Sequence, residues 1–254
     1  MRETPLLEAL TTPMEAWWAR SLQPIDVAVL DSGIDATHKD LEGRVAAAFR
    51  VEPGKSGLKW HKVPQGTNND VFGHGTAVGS IIAKLAPNAR LIDVRVLGTD
   101  NSATAVCFIH ALKEAVQRRW PVLNLSLALS AKFAAEARPI CETAWHQGQV
   151  IVSAKRNMPV VDLGLPAEFG TSISVDTDEL SDARHIRFLP GEVIEFVALG
   201  ENVTVAAPGG GYTTLSGTSF ATPTVSALCA VMLGAFPGLL PFEVRTILKH
   251  HARA

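Results

Sequence analysis

Three residues far apart in the chain have the types that nucleophilic acyl chemistry requires. Ser219 lies in Gly217-Thr218-Ser219-Phe220-Ala221-Thr222-Pro223, a small-residue turn that runs on into the apolar stretch Thr224 to Leu233. That stretch predicts a helix buried through a domain centre, with Pro223 in its first turn, where the missing amide hydrogen matters little. A serine hydroxyl is a weak nucleophile at neutral pH, so it needs a base within hydrogen-bond reach and a third group to orient that base. His74 is the candidate base: glycines flank it in Gly73-His74-Gly75-Thr76, and a helix carries on through Ile81, Ile82 and Leu85. Asp31 closes the buried-strand run Ile25 to Leu30 and is followed by Ser32-Gly33, which delivers a carboxylate into a tight turn. Taken singly, each has a structural alternative: a turn carboxylate, a packed histidine at a helix start, and a helix N-cap.

The elements that must position these groups alternate. Strand-like runs at 26–30, 91–97, 122–126 and 150–154 are interleaved with helical periodicity from His74, at about 103–118 and at about 132–146. Such alternation predicts an α/β fold of parallel strands joined by right-handed crossovers. Ligands bind beyond the C-terminal strand ends in such sheets, and Asp31, Ser126 and Asn157 all fall there. Short strands are expected between Ser172 and Val205, and a final helix from about Pro241 to His250. Residues 1–24 read as an N-terminal leader packed on the body through Leu6, Leu7, Leu10, Met14, Trp17 and Trp18, interrupted at Pro13. Residues 25–254 read as a single domain.

Composition narrows the partners. With 254 residues and 47% hydrophobic content the chain can bury one substantial core. A net charge of -2 offers no electrostatic reason to bind nucleic acid or an anionic membrane. No stretch looks both long and apolar enough to span a bilayer, and Met1-Arg2-Glu3-Thr4-Pro5 lacks the layout of a secretion signal, so the expected location is cytoplasmic. Cys107, Cys141 and Cys229 are an odd count in helical, apolar settings, which predicts reduced core thiols.

Together, Val29-Leu30-Asp31-Ser32-Gly33-Ile34-Asp35, Gly73-His74-Gly75-Thr76 and Gly217 to Pro223, in this order, resemble the motifs of the subtilisin-like serine proteases, the subtilases. The resemblance runs from Ile25 to the C-terminus. It implies a three-layer fold with a central, mostly parallel twisted sheet and helices on both faces. It also implies serine endopeptidase activity on peptide or protein substrates through Asp31, His74 and Ser219. Asn157, just past the run Gln149 to Ala154, matches the family's oxyanion donor, although an asparagine also suits a plain turn there. The Ser219 amide and the Thr218 hydroxyl are supplementary donors. An extended peptide would lie between Asn101-Ser102-Ala103 and Ser126-Leu127-Ala128.

Departures from the family pattern shape the remaining expectations. Ala128 and Leu129 stand where relatives usually have glycines, which narrows the groove or demands small substrate residues. Arg156 replaces a glycine that lines the pocket for the residue before the cleaved bond. Its guanidinium either selects an acidic side chain, points to solvent or blocks the pocket. The insertion that holds calcium in some relatives is missing after His74, and Asp40 alone cannot assemble six to eight oxygens, so no metal or cofactor is expected. The loop from Glu52 to Asp70, with Asn68-Asn69-Asp70, is either a cation site or a solvated turn. The leader is far shorter than an inhibitory prodomain, which leaves control to substrate selection, expression or a partner protein. A processing enzyme of narrow substrate range is therefore expected; a weakly catalytic peptide-binding scaffold and an acyl transferase or ligase are the alternatives.

Overall fold

The computed structural model describes residues 5–54, 57–98, 103–158 and 162–252. In chain order its elements begin with α1 (Pro5–Thr11), β1 (Ile25–Asp31), the hairpin β2 (Val45–Gly54) and β3 (Gly57–Val63), α2 (His74–Leu85), β4 (Ala89–Arg95) and α3 (Ala105–Gln117). They continue with β5 (Val122–Leu125), α4 (Ala134–His146), β6 (Val150–Ala154), β7 (Ser172–Asp178), β8 (Ile186–Phe188) and β9 (Phe196–Leu199). A second hairpin, β10 (Val203–Ala207) and β11 (Gly211–Leu215), precedes α5 (Thr218–Ala235) and α6 (Pro241–His251).

Nine strands form one sheet in the order β3-β2-β4-β1-β5-β6-β7-β9-β8. All pairs from β2 to β9 across this order are parallel, and only the edge strands β3 and β8 are antiparallel. The centre is covered on both faces, as the uninterrupted burial of Val27 to Asp31 and of β5 and β6 requires. Alternate residues of β1 enter two different cores. Val27 and Val29 pack with α2 and α5, while Ala28 and Leu30 pack with α3 and α4. The result is the expected three-layer α/β architecture, with Asp31, Ser126 and Asn157 at or just past the C-terminal ends of β1, β5 and β6.

Helix α5 is the axis of one layer, with all its residues buried except Ser219. Over its 18 residues the mean hydropathy is 1.4, so by length and composition it does qualify as a bilayer span, contrary to expectation. It is apolar all round because it crosses the domain core, where 94% of it is buried. Pro223 also departs from expectation, standing in the second turn of α5 rather than the first. The bond it cannot make would have gone to the carbonyl of Ser219. That oxygen instead accepts the Ser126 hydroxyl at 2.9 Å.

The region from Glu52 to Asp70 is not one loop. Much of it is the β2–β3 hairpin, in which Leu58 and Trp60 alternate with exposed residues and pack with Phe49 and Trp120. Past the hairpin, Asn68 is buried, donating to the Phe49 carbonyl at 2.8 Å and accepting from Arg50 Nε at 3.1 Å. The two oxygens of Asp40 accept the Tyr212 hydroxyl at 2.9 and 3.0 Å. Among the described residues no group of three or more histidine, cysteine or acidic side chains is placed to hold a metal.

Pro13 separates α1 from a short 3-10 turn over Met14–Ala19, and both pack on the body. Trp17 is fully buried, edge-on to Phe236 and His251, and the Trp18 indole donates to the Leu85 carbonyl at 2.7 Å. Truncation of Trp17 to alanine should therefore destabilise the protein by about 3–5 kcal/mol, read as a lowered urea midpoint. An unchanged midpoint would mean that the leader is not part of the cooperative unit.

Candidate active site

Asp31 is the last residue of β1 and is fully buried. Its backbone carbonyl accepts from Val96 and Leu97 at 2.8 and 3.1 Å, which ties the strand end to the segment after β4. Its carboxylate Oδ1 receives the Ser32 N–H at 2.7 Å and His74 Nδ1 at 2.8 Å, while Oδ2 is buried with no partner. A carboxylate can only accept, so Nδ1 carries the imidazole proton and Nε2 is left with its lone pair.

His74 is the first residue of α2, and the turn before that helix is built to bring it close. An added Cβ at Gly75 would lie 2.1 Å from the Gly33 carbonyl oxygen and 3.1 Å from Asp31 Cβ, so only glycine permits this approach. Gly33 and Gly73 both have positive φ, at 112° and 92°. The helix start is capped by Asp70, which accepts from the amides of Gly73 and Thr76 at 2.8 Å each and from Thr76 Oγ1 at 2.6 Å. Ser32 Oγ joins the two turns, donating to Asp70 at 2.8 Å and accepting the Gly75 N–H at 2.9 Å. Asp70 was legible only as part of a polar run; its signal was a carboxylate just ahead of a helix start.

Burial alone pushes the His74 imidazole down, but the charge and hydrogen bond of Asp31, with the charge of Asp70, outweigh it and hold His74 above its ordinary value. Phe220 flanks the ring at 5.5 Å between centroids.

Ser219 lies in the first turn of α5, after Gly217 with φ 142°. Its N–H is among the amides that the start of a helix leaves unpaired, at the positive end of the helix dipole. His74, Ser126, Asn157 and Ser219 line one cleft of ≈ 380 Å³. The hydroxyl of Ser219, however, donates to the Ser126 carbonyl at 2.9 Å rather than to His74. Ser126 thus both accepts from Ser219 and donates to its carbonyl, and Asn124 and Ser226 extend that network at 3.0 and 2.8 Å.

Asn157 Oδ1 accepts the Thr218 N–H at 2.9 Å. Because that amide can only donate, the Asn157 oxygen must face it and the NH₂ is left for another acceptor. The Thr218 hydroxyl is not the supplementary oxyanion donor expected from sequence. Its one proton goes to the Lys155 carbonyl at 2.6 Å, so Thr218 orients Asn157 instead.

Leu127, Ala128 and Arg156 line the same cleft, and Ala103 lines a neighbouring one; Asn101 and Ser102 lie outside the described residues. Of its three expected courses, Arg156 comes nearest to blocking the pocket. Its Nε donates to Asp162 at 3.1 Å and its Nη2 to the Leu129 carbonyl at 3.1 Å, so it braces one wall of the cleft against the other. The Ala131 amide and then Arg156 hold the Asp162 carboxyl below the usual range.

The chain belongs to the Subtilase family (peptidase S8), which matches residues 23–254. It is 31% identical over 237 residues to alkaline elastase YaB of Bacillus sp. (strain YaB), covering 90% of this chain and 59% of that protein. It is 32% identical over 237 residues to subtilisin Savinase of Lederbergia lenta, covering 90% and 83%. The chain thus spans only about three fifths of the first relative's length. Among solved structures, S41 psychrophilic protease superposes with a TM-score of 0.75 at 25% identity, covering 89% of this chain and 82% of that one. Sphericase superposes with a TM-score of 0.72 at 23% identity, covering 90% and 83%.

Behind the His74–Asp31 pair lies Asp93, which motif reading did not single out. It sits on β4 opposite Val29, is 1% exposed, and has no hydrogen-bond partner on either oxygen. Burial pushes its carboxyl up to about 7, with Asp70 and Asp31 adding to the rise; the Asn68 side chain and the Ile34 amide oppose it from beyond good hydrogen-bond geometry. An unfolded carboxyl titrates near 3.8, so the folded state holds this proton more tightly and loses stability as pH rises from about 4 to about 7. Asp93→Asn should therefore raise the urea midpoint at pH 8 and change it little at pH 4. A difference independent of pH would contradict the assignment.

Proposed function

We propose that this chain is a serine endopeptidase that works through an acyl-enzyme. The observation that carries the reading is the 2.8 Å bond from His74 Nδ1 to the buried Asp31 carboxylate, in one cleft with Ser219 and Asn157. Asp31 fixes the tautomer and stabilises the imidazolium; His74 Nε2 takes the Ser219 proton after rotation of the hydroxyl away from the Ser126 carbonyl. Ser219 Oγ then bonds to the scissile carbonyl carbon, and the oxygen takes up negative charge facing the Asn157 NH₂ and the Ser219 N–H. His74 passes its proton to the leaving amine as the C–N bond breaks. Water, deprotonated by the same base, releases the acid and restores Ser219.

A narrow substrate range fits the side chains that crowd the cleft, since Ala128 and Arg156 leave less room than glycines would. The 2.9 Å bond from Ser219 to Ser126 favours a second reading, a peptide-binding scaffold whose nucleophile stays turned from its base. Hydroxyl rotation takes little energy, which supports the enzyme reading.

Labelling by a fluorophosphonate probe, read by intact mass, separates them. The wild type is expected to gain one adduct and Ser219→Ala none, with the labelling rate falling as His74 protonates, at a pH above the ordinary imidazole value. A wild type that stays unlabelled would favour the scaffold. Once a peptide substrate is in hand, Asn157→Ala should lower kcat by about 10²–10³, a magnitude itself measured in this family, with KM little changed. A loss confined to KM would take Asn157 out of the oxyanion site.

A further inference from the structure

We infer that the slot beside Ser219 is closed short, so that the residue donating the attacked carbonyl must carry a small side chain such as that of alanine, serine or glycine. This rests on the endopeptidase reading and adds its specificity. A carbonyl placed with its carbon at Ser219 Oγ and its oxygen at the Asn157 NH₂ sends its own side chain into the gap between Ser126–Ala128 and Ala154–Arg156, the two walls of the cleft.

Three features of this chain shorten that gap. The Ala128 methyl crowds Gly164, for a Cβ added to Gly164 would lie 2.7 Å from Ala128 Cβ and 3.5 Å from Arg156 Cβ. A carbon at that point would clash with Ala128 and touch Arg156, so the Ala128 methyl already fills the space over Gly164. Leu129 and Leu165 exchange both backbone hydrogen bonds at 2.8 and 2.9 Å, which stitches the wall that carries Ala128 to the segment that carries Gly164. Arg156 then reaches from its own wall to the opposite one, bonded to the Leu129 carbonyl and to Asp162, whose other oxygen accepts the Ala131 amide. Its guanidinium is already paired, so an acidic substrate side chain would have to displace Asp162 to reach it. Side chains such as phenylalanine would have to break the Leu129–Leu165 pairing or expel Arg156.

The test uses fluorogenic peptides identical except for alanine, serine, phenylalanine or aspartate before the scissile bond, with the full-length protein and with Ala128→Gly and Arg156→Gly. We expect kcat/KM for the alanine peptide to exceed that for phenylalanine by at least about tenfold in the wild type, the discrimination a tight pocket gives per excess methylene or more. Either glycine variant should raise the phenylalanine-to-alanine ratio. Equal rates for phenylalanine and alanine in the wild type overturn the short slot, as does a ratio unmoved in both variants. A preference for aspartate overturns it too, because Arg156 would then leave Asp162 for the substrate. Fluorophosphonate labelling, whose small reactive group needs no slot, is run on all three proteins and shows whether each is folded and competent. A wild type that labels yet ignores the alanine peptide overturns the slot alone; one that does not label overturns the endopeptidase reading and the slot with it.

Discussion

The arrangement of the site depends on one close contact, the first turn of α2 lying directly on the turn after β1. Gly75 has no Cβ because the Gly33 carbonyl occupies its space, and this approach brings Nδ1 of His74 within 2.8 Å of Asp31. Bringing two turns together buries polar backbone, and each group so buried must find a partner. Asp70 and Ser32 supply those partners: one carboxylate caps α2, and one hydroxyl links that carboxylate to the next amide. The same carboxylate adds to the field that keeps the imidazole basic despite its burial. Structural capping and electrostatic tuning are thus properties of one side chain.

Ser219, the proposed nucleophile, is held by a different device. Helix α5 must begin where its unpaired amides meet the cleft, yet remain apolar through the core. Pro223 helps to meet both demands. By leaving the Ser219 carbonyl without a helical donor, it frees that oxygen for Ser126 on the neighbouring strand end. Asn124 and Ser226 continue the connection inside the core. On the other wall Thr218, adjacent to Ser219, orients the Asn157 amide, so the positions of Ser219 and Asn157 are coupled through one peptide unit.

Buried carboxyl groups are a burden on this design. Asp31, Asp70 and Asp93 share one face of the sheet, but only Asp70 has partners on both oxygens. Asp31 has a partner on one oxygen, while Asp93 has none and meets burial by holding its proton. Arg156 illustrates the reverse case, a charge at the cleft that is offset by pairing with Asp162.

From the sequence by itself the α/β class and the alternation of the central strands and helices follow, because strand and helix periodicity are local signals; the three-layer arrangement and the candidate roles of Asp31, His74, Ser219 and Asn157 follow from the resemblance of short motifs to those of the subtilases. The sequence could not place Pro223 within α5, since a buried apolar helix shows no periodic mark of where its first turn ends. It read 52–70 as a loop because the β2–β3 hairpin alternates polar and half-buried residues too weakly to stand out, and it could not give Asn68 or Asp70 a role whose partners come from other elements. The partners of Thr218 and Arg156, and the isolation of Asp93, were decided by tertiary structure alone. A side chain's chemical type is written in the chain, but the identity of its hydrogen-bond partner depends on which distant segments the sheet brings within 3 Å.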